Sequence, residues 1–321
     1  YIKIIKGIIM NIIFMGTPEF AVECLDILVK SNHNIIAVIT SEDKPAGRGQ
    51  KIKISEIKKY SIKNKLKILQ PRNLKDYDFL NEIKLLKPDI FIVVAFRMLP
   101  KILWKIPQKG TINLHASLLP NLRGAAPIHW AIINGLKETG VSTFYIDENI
   151  DCGQVIEQKK VSILENENTG ELYNRLKKIG ALTILSTLEK IDTKGFKSIK
   201  QIESKENLKA PKLNRENTKI DWCKNSNEVH NFIRGLNPYP SAWTSINENK
   251  KILKIYKSRK YSSSLKAKYK PGTIIMNKNT LLISTGSGLI EVLELKMEGK
   301  KMMNNIEFNN GFKSLNKTNL S

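Results

Sequence analysis

Histidine and cysteine are scarce in this chain: 321 residues hold four of the first and three of the second. Cys24, Cys152 and Cys223 are odd in number, far apart and free of any CxxC pair. That excludes a disulfide framework or a zinc ribbon and fits a reducing compartment. With neither His nor Cys at ligand spacing, no metal site is expected. Long apolar runs are missing too, since none approaches the roughly 18 residues of a membrane span. The opening YIKIIKGII is broken by lysines and followed by no small-residue cleavage site, so it does not read as a targeting signal. These absences point to a cytoplasmic protein without membrane contact. The sequence leaves the oligomeric state open, with a monomer as the working expectation. The GTPEF turn carries one glycine where a dinucleotide fingerprint needs three, so nicotinamide binding is not supported.

What is present is an ordinary globular composition, 41% hydrophobic and 26% charged, over a length that exceeds one usual domain. Strand-like apolar runs at 11–15, 35–40, 67–69, 89–95 and 111–114 alternate with helix-length segments, which implies a parallel sheet. Thr17 as N-cap, Pro18 at the first helical position and a face of Phe20, Cys24, Ile27 and Leu28 predict a helix over about 18–30. Further strands are expected at 140–146 and 154–163, then a helix opened by Thr169. Because Met10 directly precedes the first strand, residues 1–9 read as a non-structural N-terminal extension.

Residues 192–212 lose periodicity and read as a linker. Beyond it, a helical stretch at 226–235 and strands at 251–256, 272–276, 280–285 and 289–295, separated by Pro-Gly and Gly-Ser-Gly turns, predict a small β-barrel over 213–321. The expected fold is α/β: a Rossmann-like, mostly parallel sheet domain at 10–191, followed by a smaller OB-like β-barrel domain.

Acidic residues are outnumbered, 30 against 53 basic, for a net charge of +23. Such a balance suggests an anionic partner such as nucleic acid, although general enrichment in Lys, Ile and Asn accounts for part of it. The distribution is uneven. Residues 213–321 hold 19 Lys and Arg against 8 Asp and Glu, and residues 250–270 hold nine basic residues and no acid.

The shortage of histidine narrows the search for a group that moves protons near neutral pH. His33 lies in a polar turn, and His129 and His230 lie in predicted helices, where packing or exposure explains them. His115 ends the strand TINLH, and in open α/β sheets ligands bind beyond the carboxyl ends of strands. Asn113 stands two residues earlier, so both side chains project to one face. An amide donor beside an imidazole suits acyl transfer, in which an oxyanion needs a donor and the attacking group loses a proton. Capping of the strand by the same pair is the plainer alternative. The loop that follows, ASLLPNLRGAAPIHW, has the rigid chemistry of a ligand-positioning element. Asp151, in DENIDCG, can orient His115, with Asp147 as a rival in that turn. Cys152 next to a carboxylate is not expected to be a nucleophile.

These motifs together, IIFMGTPEFAV, SEDKPAGRGQK, LQPRNL, INLHASLLPNLRGAAPI, ETGVSTFYIDENIDCGQVI, APKL and LNPYPSAW, resemble the methionyl-tRNA formyltransferase family over nearly the whole length from Met10. The resemblance implies 10-formyltetrahydrofolate as formyl donor and methionyl-initiator-tRNA as acceptor. It implies Asn113, His115 and Asp151 as catalytic residues and Ser117, Leu118, Leu119 and Pro120 as the folate-binding loop. It also matches Arg48, in DKPAGRGQK, and Lys212, in APKL, to tRNA-contacting residues. The basic second domain then becomes a phosphate-binding surface. One departure stands out: after FIVVA the family often reads Tyr-Gly and a longer approach to Leu-Pro, whereas FRMLP here is shorter and carries Arg97.

Overall fold

The computed structural model describes residues 8–46, 51–246, 250–261 and 269–321. The chain divides into two compact units, residues 1–123, 140–161 and 173–208 in the first, and 124–139, 162–172 and 209–321 in the second.

The first unit is built on the sheet that the apolar runs predict. Its strands are β1 (Asn11–Gly16), β2 (Asn34–Ile39), β3 (Ile68–Leu69), β4 (Ile90–Val94), β5 (Thr111–His115), β6 (Glu138–Tyr145) and β7 (Val155–Ser162). Their spatial order is β7-β6-β5-β4-β1-β2-β3. From β5 to β3 every neighbouring pair is parallel, and β6 runs antiparallel to β5. Every residue of β4 is buried, as expected of a strand covered on both faces.

Helix α1 (Glu19–Val29) starts one residue later than its sequence suggests, with Pro18 at the N-cap and no side-chain capping bond. A cap hydrogen bond from Thr17 is therefore absent. The buried face is Phe20, Ala21, Cys24, Leu25 and Leu28, with Ile27 only half-buried. A short hairpin of Lys44–Ala46 and Lys51–Lys53 was not legible in the glycine-rich segment between its arms.

The aperiodic stretch 192–212 is divided, with 192–208 falling in the first unit. The cause is backbone pairing: Val155 and Ile199 exchange two hydrogen bonds of 2.8 and 2.7 Å. Residues 124–139 and 162–172 group with the second unit instead. There α2 (Pro127–Ile133) lies so close to α3 (Ser226–Gly235) that a Cβ on Gly235 would come within 2.6 Å of the Ile133 side chain.

The second unit is an antiparallel sheet in the order β8-β9-β12-β11-β10, formed by β8 (Ala242–Ser245), β9 (Ile252–Tyr261), β10 (Ile274–Met276), β11 (Leu281–Ser284) and β12 (Leu289–Met297). Its two edges are joined by the last residues of the chain. Ser321 exchanges backbone hydrogen bonds with Ser245 of β8, while Thr318 and Lys317 pair with Ile274 of β10. The result is the small barrel that the turn pattern predicts, with its edges covered rather than exposed. Trp222, Val229, Ile233, Leu253, Ile255 and Phe308 are among the side chains of its core. β8 was missed in the sequence because it begins two residues after the Pro-Tyr-Pro run that reads as a loop.

α3 is held by a capping box, Asn225 with Glu228, and carries His230 into the interior. His230 Nδ1 lies 3.1 Å from Ser258 Oγ, and Nε2 is buried without a partner. Burial, then the nearby Arg234 and Lys260, push its pKa down to about 4, while Glu165 acts in the other direction. Because the folded-state value is depressed, the unfolded chain binds a proton that the folded chain does not between the ordinary value of 6.5 and about 4. Stability is therefore full above the ordinary value and declines as pH falls through that window, by up to about 3 kcal/mol. Urea midpoints measured at neutral and mildly acidic pH are expected to show this decline, and His230→Gln is expected to reduce it. An equal decline in both proteins would rule out His230 as the source.

Candidate active site

β5 places Asn113 opposite Val93 of β4 and Phe144 of β6, and His115 opposite Ser142. Asn113 is half-buried, and its amide makes no hydrogen bond to another described residue. Such a half-buried amide, two residues before the strand's last residue, keeps its donor capacity for a ligand. His115 is only 6% exposed. Its Nε2 lies 2.9 Å from the Leu122 carbonyl oxygen. A carbonyl only accepts, so Nε2 carries the proton, and in the neutral ring the basic lone pair is on Nδ1. Leu122 presents that carbonyl from a left-handed conformation, φ 59°, with its own N–H donated to Leu208 O at 2.7 Å.

Nδ1 faces Asp151 Oδ2 at 3.7 Å, an ion-pair distance longer than a direct hydrogen bond. Asp151 has φ 56°, and the turn is closed by Gly153, where a Cβ would sit 1.7 Å from the Tyr145 carbonyl oxygen. Only glycine allows that approach, and the approach returns the turn to the end of β6. The rival Asp147 is exposed and spends its carboxylate on the Asn149 N–H at 2.9 Å. Burial raises the pKa of Cys152, with Arg123 opposing and Asp147, Glu203 and Asp151 reinforcing, so its thiol stays protonated.

The SLLP segment is fastened to the sheet by Ser142. This hydroxyl donates to Ser117 O at 2.6 Å and accepts the Leu119 N–H at 3.1 Å, and Gln158 Nε2 donates to both Ser142 Oγ and Leu119 O. Ser117 turns its own hydroxyl inward to Asn121 O at 2.6 Å. Leu119 packs with Phe144 and Val155. Of the four residues, Leu118 and Pro120 keep accessible surface, whereas the side chains of Ser117 and Leu119 hold the loop. In the FRMLP segment Arg97 donates to the carbonyls of Pro71 and Arg72 and lies over Phe96, which fixes this connection to the neighbouring loop.

Ser142 and Gln158, which hold this loop, were both missed in the sequence. Ser142 was in principle findable, since the β5 to β6 register sets it opposite His115. Among the described residues no cluster of His, Cys, Asp and Glu could hold a metal ion, and no helix is long and apolar enough to cross a membrane.

Arg48 lies outside the described residues. Lys212 is exposed in the second unit, where it lines a cavity of about 830 Å³ together with Arg215, Lys254, Lys296, Tyr239 and Trp243 among others. The Arg215 guanidinium stands 5.2 Å from the Trp243 ring centroid and Lys219 Nζ 5.7 Å. This groove has cations and aromatics but little that could do chemistry. Its His129 Nε2 donates to the Tyr239 carbonyl at 3.1 Å, and burial lowers its pKa. Asn113, His115 and Asp151 are the better chemical candidates on that ground.

Residues 10–188 match the formyl transferase family, and 212–313 match the formyl transferase C-terminal domain. A methionyl-tRNA formyltransferase of Flavobacterium johnsoniae is 48% identical over 94% of this chain and 96% of its own length. One from Bacteroides fragilis is 42% identical over 94% and 95%. Among solved structures, the N-formyltransferase of Helicobacter canadensis with folinic acid and dTDP-3-aminofucose is 25% identical, with TM-score 0.64 over 88% of this chain and 99% of that one. Two matched domains, together with relatives this similar over almost the full length, show that the chain belongs to the methionyl-tRNA formyltransferase family.

Proposed function

We propose that the chain transfers the formyl group of 10-formyltetrahydrofolate to the α-amine of methionyl-initiator-tRNA in the cytoplasm, with Asn113, His115 and Asp151 carrying the reaction. The observation that carries this reading is the Asn113 amide, without a hydrogen-bond partner among the described residues, on the same strand face as an imidazole whose tautomer is set by Leu122. Asn113 donates to the formyl oxygen as negative charge develops there. His115 Nδ1 takes the proton that the attacking amine must lose, and Asp151 stabilises the imidazolium so formed. Leu118 and Pro120 offer apolar surface to the folate, on a loop kept in place by Ser142 and Gln158. The amine nitrogen bonds to the formyl carbon, and as the tetrahedral intermediate collapses the bond from that carbon to folate N10 breaks, the His115 imidazolium returns its proton to N10, and tetrahydrofolate leaves.

Arg48 and Lys212 are assigned to the tRNA, together with the basic second unit. In β9 the inward Leu253, Ile255 and Ser258 leave Lys257, Arg259 and Lys260 exposed. Arg259 is paired with Glu291 at 2.7 Å and Lys260 with Glu165 at 3.2 Å, so the phosphate-binding charge rests more on Lys250, Lys257 and the lysines around the groove. The relatives named for methionyl-tRNA, at 42–48% identity, support this acceptor over the small amine of the Helicobacter neighbour.

The test is to supply 10-formyltetrahydrofolate with charged initiator tRNA, elongator methionyl-tRNA or free methionine. Formylation of the initiator tRNA is expected, and formylation of neither RNA would sink the assignment. Binding of tRNA is expected to weaken at least about tenfold between low and near-physiological salt, as counterion release requires. A flat salt response in filter binding would leave the charge without that role.

A further inference from the structure

The aperiodic segment that follows the helix Thr169–Asp192 holds a side chain with all its hydrogen-bonding capacity spent. Gln201 Oε1 accepts from Arg123 Nε at 3.1 Å and Nη2 at 2.8 Å. Its Nε2 donates to the carbonyls of Asp151 at 2.9 Å and Gly153 at 2.8 Å. Two donors and two acceptors are the full complement of a primary amide. The amide orientation follows from the partners: flipped, it would set NH₂ against a guanidinium and oxygen against two carbonyls.

The two sides of this clamp are the two backbones that flank the His115 ring. Asp151 faces Nδ1, and Arg123 follows Leu122, whose carbonyl accepts from Nε2. Arg123 is steadied further by Glu203 of the same segment. Seven residues past Gln201, Leu208 donates its N–H to Asn121 Oδ1 at 2.8 Å and accepts from Leu122 N–H. The segment 199–208 thus fastens both neighbours of the catalytic imidazole. A glutamate at 201 would satisfy Arg123 but could not donate to two carbonyls, so the position requires a neutral amide.

We propose that Gln201 is a positioning residue for formyl transfer, acting through Asp151 by holding its left-handed turn against Arg123. This rests on the role given to Asp151 under the proposed function. At 3.7 Å the carboxylate is close to the limit of useful interaction with Nδ1. A displacement of about 1 Å costs up to about 10² in rate in such sites.

The experiment is a kinetic cycle of Gln201→Ala, Asp151→Ala and the double variant, with near-isosteric Gln201→Glu as a second disruption of the clamp and thermal unfolding as a check on folding. Gln201→Ala and Gln201→Glu are expected to lower kcat about 10- to 100-fold. Both KM values should stay within about threefold, as for loss of an interaction that matters in the transition state. In the Asp151→Ala background, Gln201→Ala should cost less than about twofold more, because it acts through a group already removed. Near-normal kcat in the Gln201 variants, or an equal loss with and without Asp151, overturns the inference while leaving the catalytic role of Asp151 intact. Normal turnover in Asp151→Ala overturns both.

Discussion

Asn113→Ala lowers turnover about 10²- to 10³-fold, the cost of removing one oxyanion donor, and leaves folate affinity nearly unchanged. The amide is half-buried and bonded to no other described residue, so its loss orphans no described partner and opens only a small space beside the strand. Steady-state kinetics with methionyl-tRNA and equilibrium binding of the folate separate the two effects. A fall in folate affinity equal to the fall in kcat/KM would make Asn113 a binding residue rather than a transition-state donor.

His115→Ala has the larger expected effect, about 10²- to 10⁴-fold in turnover, because a positioned general base is lost. This substitution also touches the fold. It leaves the Leu122 carbonyl without its 2.9 Å donor in a nearly closed pocket, at a stability cost of about 1–3 kcal/mol. Kinetics are therefore to be read well below the unfolding temperature, beside a melting curve. Turnover within a few-fold of wild type would remove the main support for the mechanism.

How legible this was depends on the distance over which each feature is determined. The strands of the first unit and helix 226–235 were readable because apolar periodicity is local, and the pairing of Asn113 with His115 follows from the two-residue repeat of a strand. The helix around 18–30 was placed to within a residue, the proline serving as cap rather than as first helical residue. Asp151 against Asp147 was not decidable from spacing. The choice depends on Gly153 returning the chain to Tyr145, and on an Asx turn that consumes Asp147. Gln201 gave no signal, since it sits in a stretch without periodicity and its partners are 48 to 78 residues away. The inward turn of the Ser117 hydroxyl was equally hidden, for a motif names the residue and not the direction of its side chain.

The most direct test of the account is a single-turnover reaction. Enzyme saturated with 10-formyltetrahydrofolate labelled in the formyl carbon is mixed with methionyl-initiator-tRNA, and wild type is compared with the Asn113→Ala, His115→Ala double variant. The account predicts that wild type moves the label to the methionine α-amine. The double variant should bind both substrates and transfer about 10²- to 10⁴-fold more slowly, roughly what its worse single member shows, since the two groups act as a unit. Transfer by the double variant at the wild-type rate would contradict it.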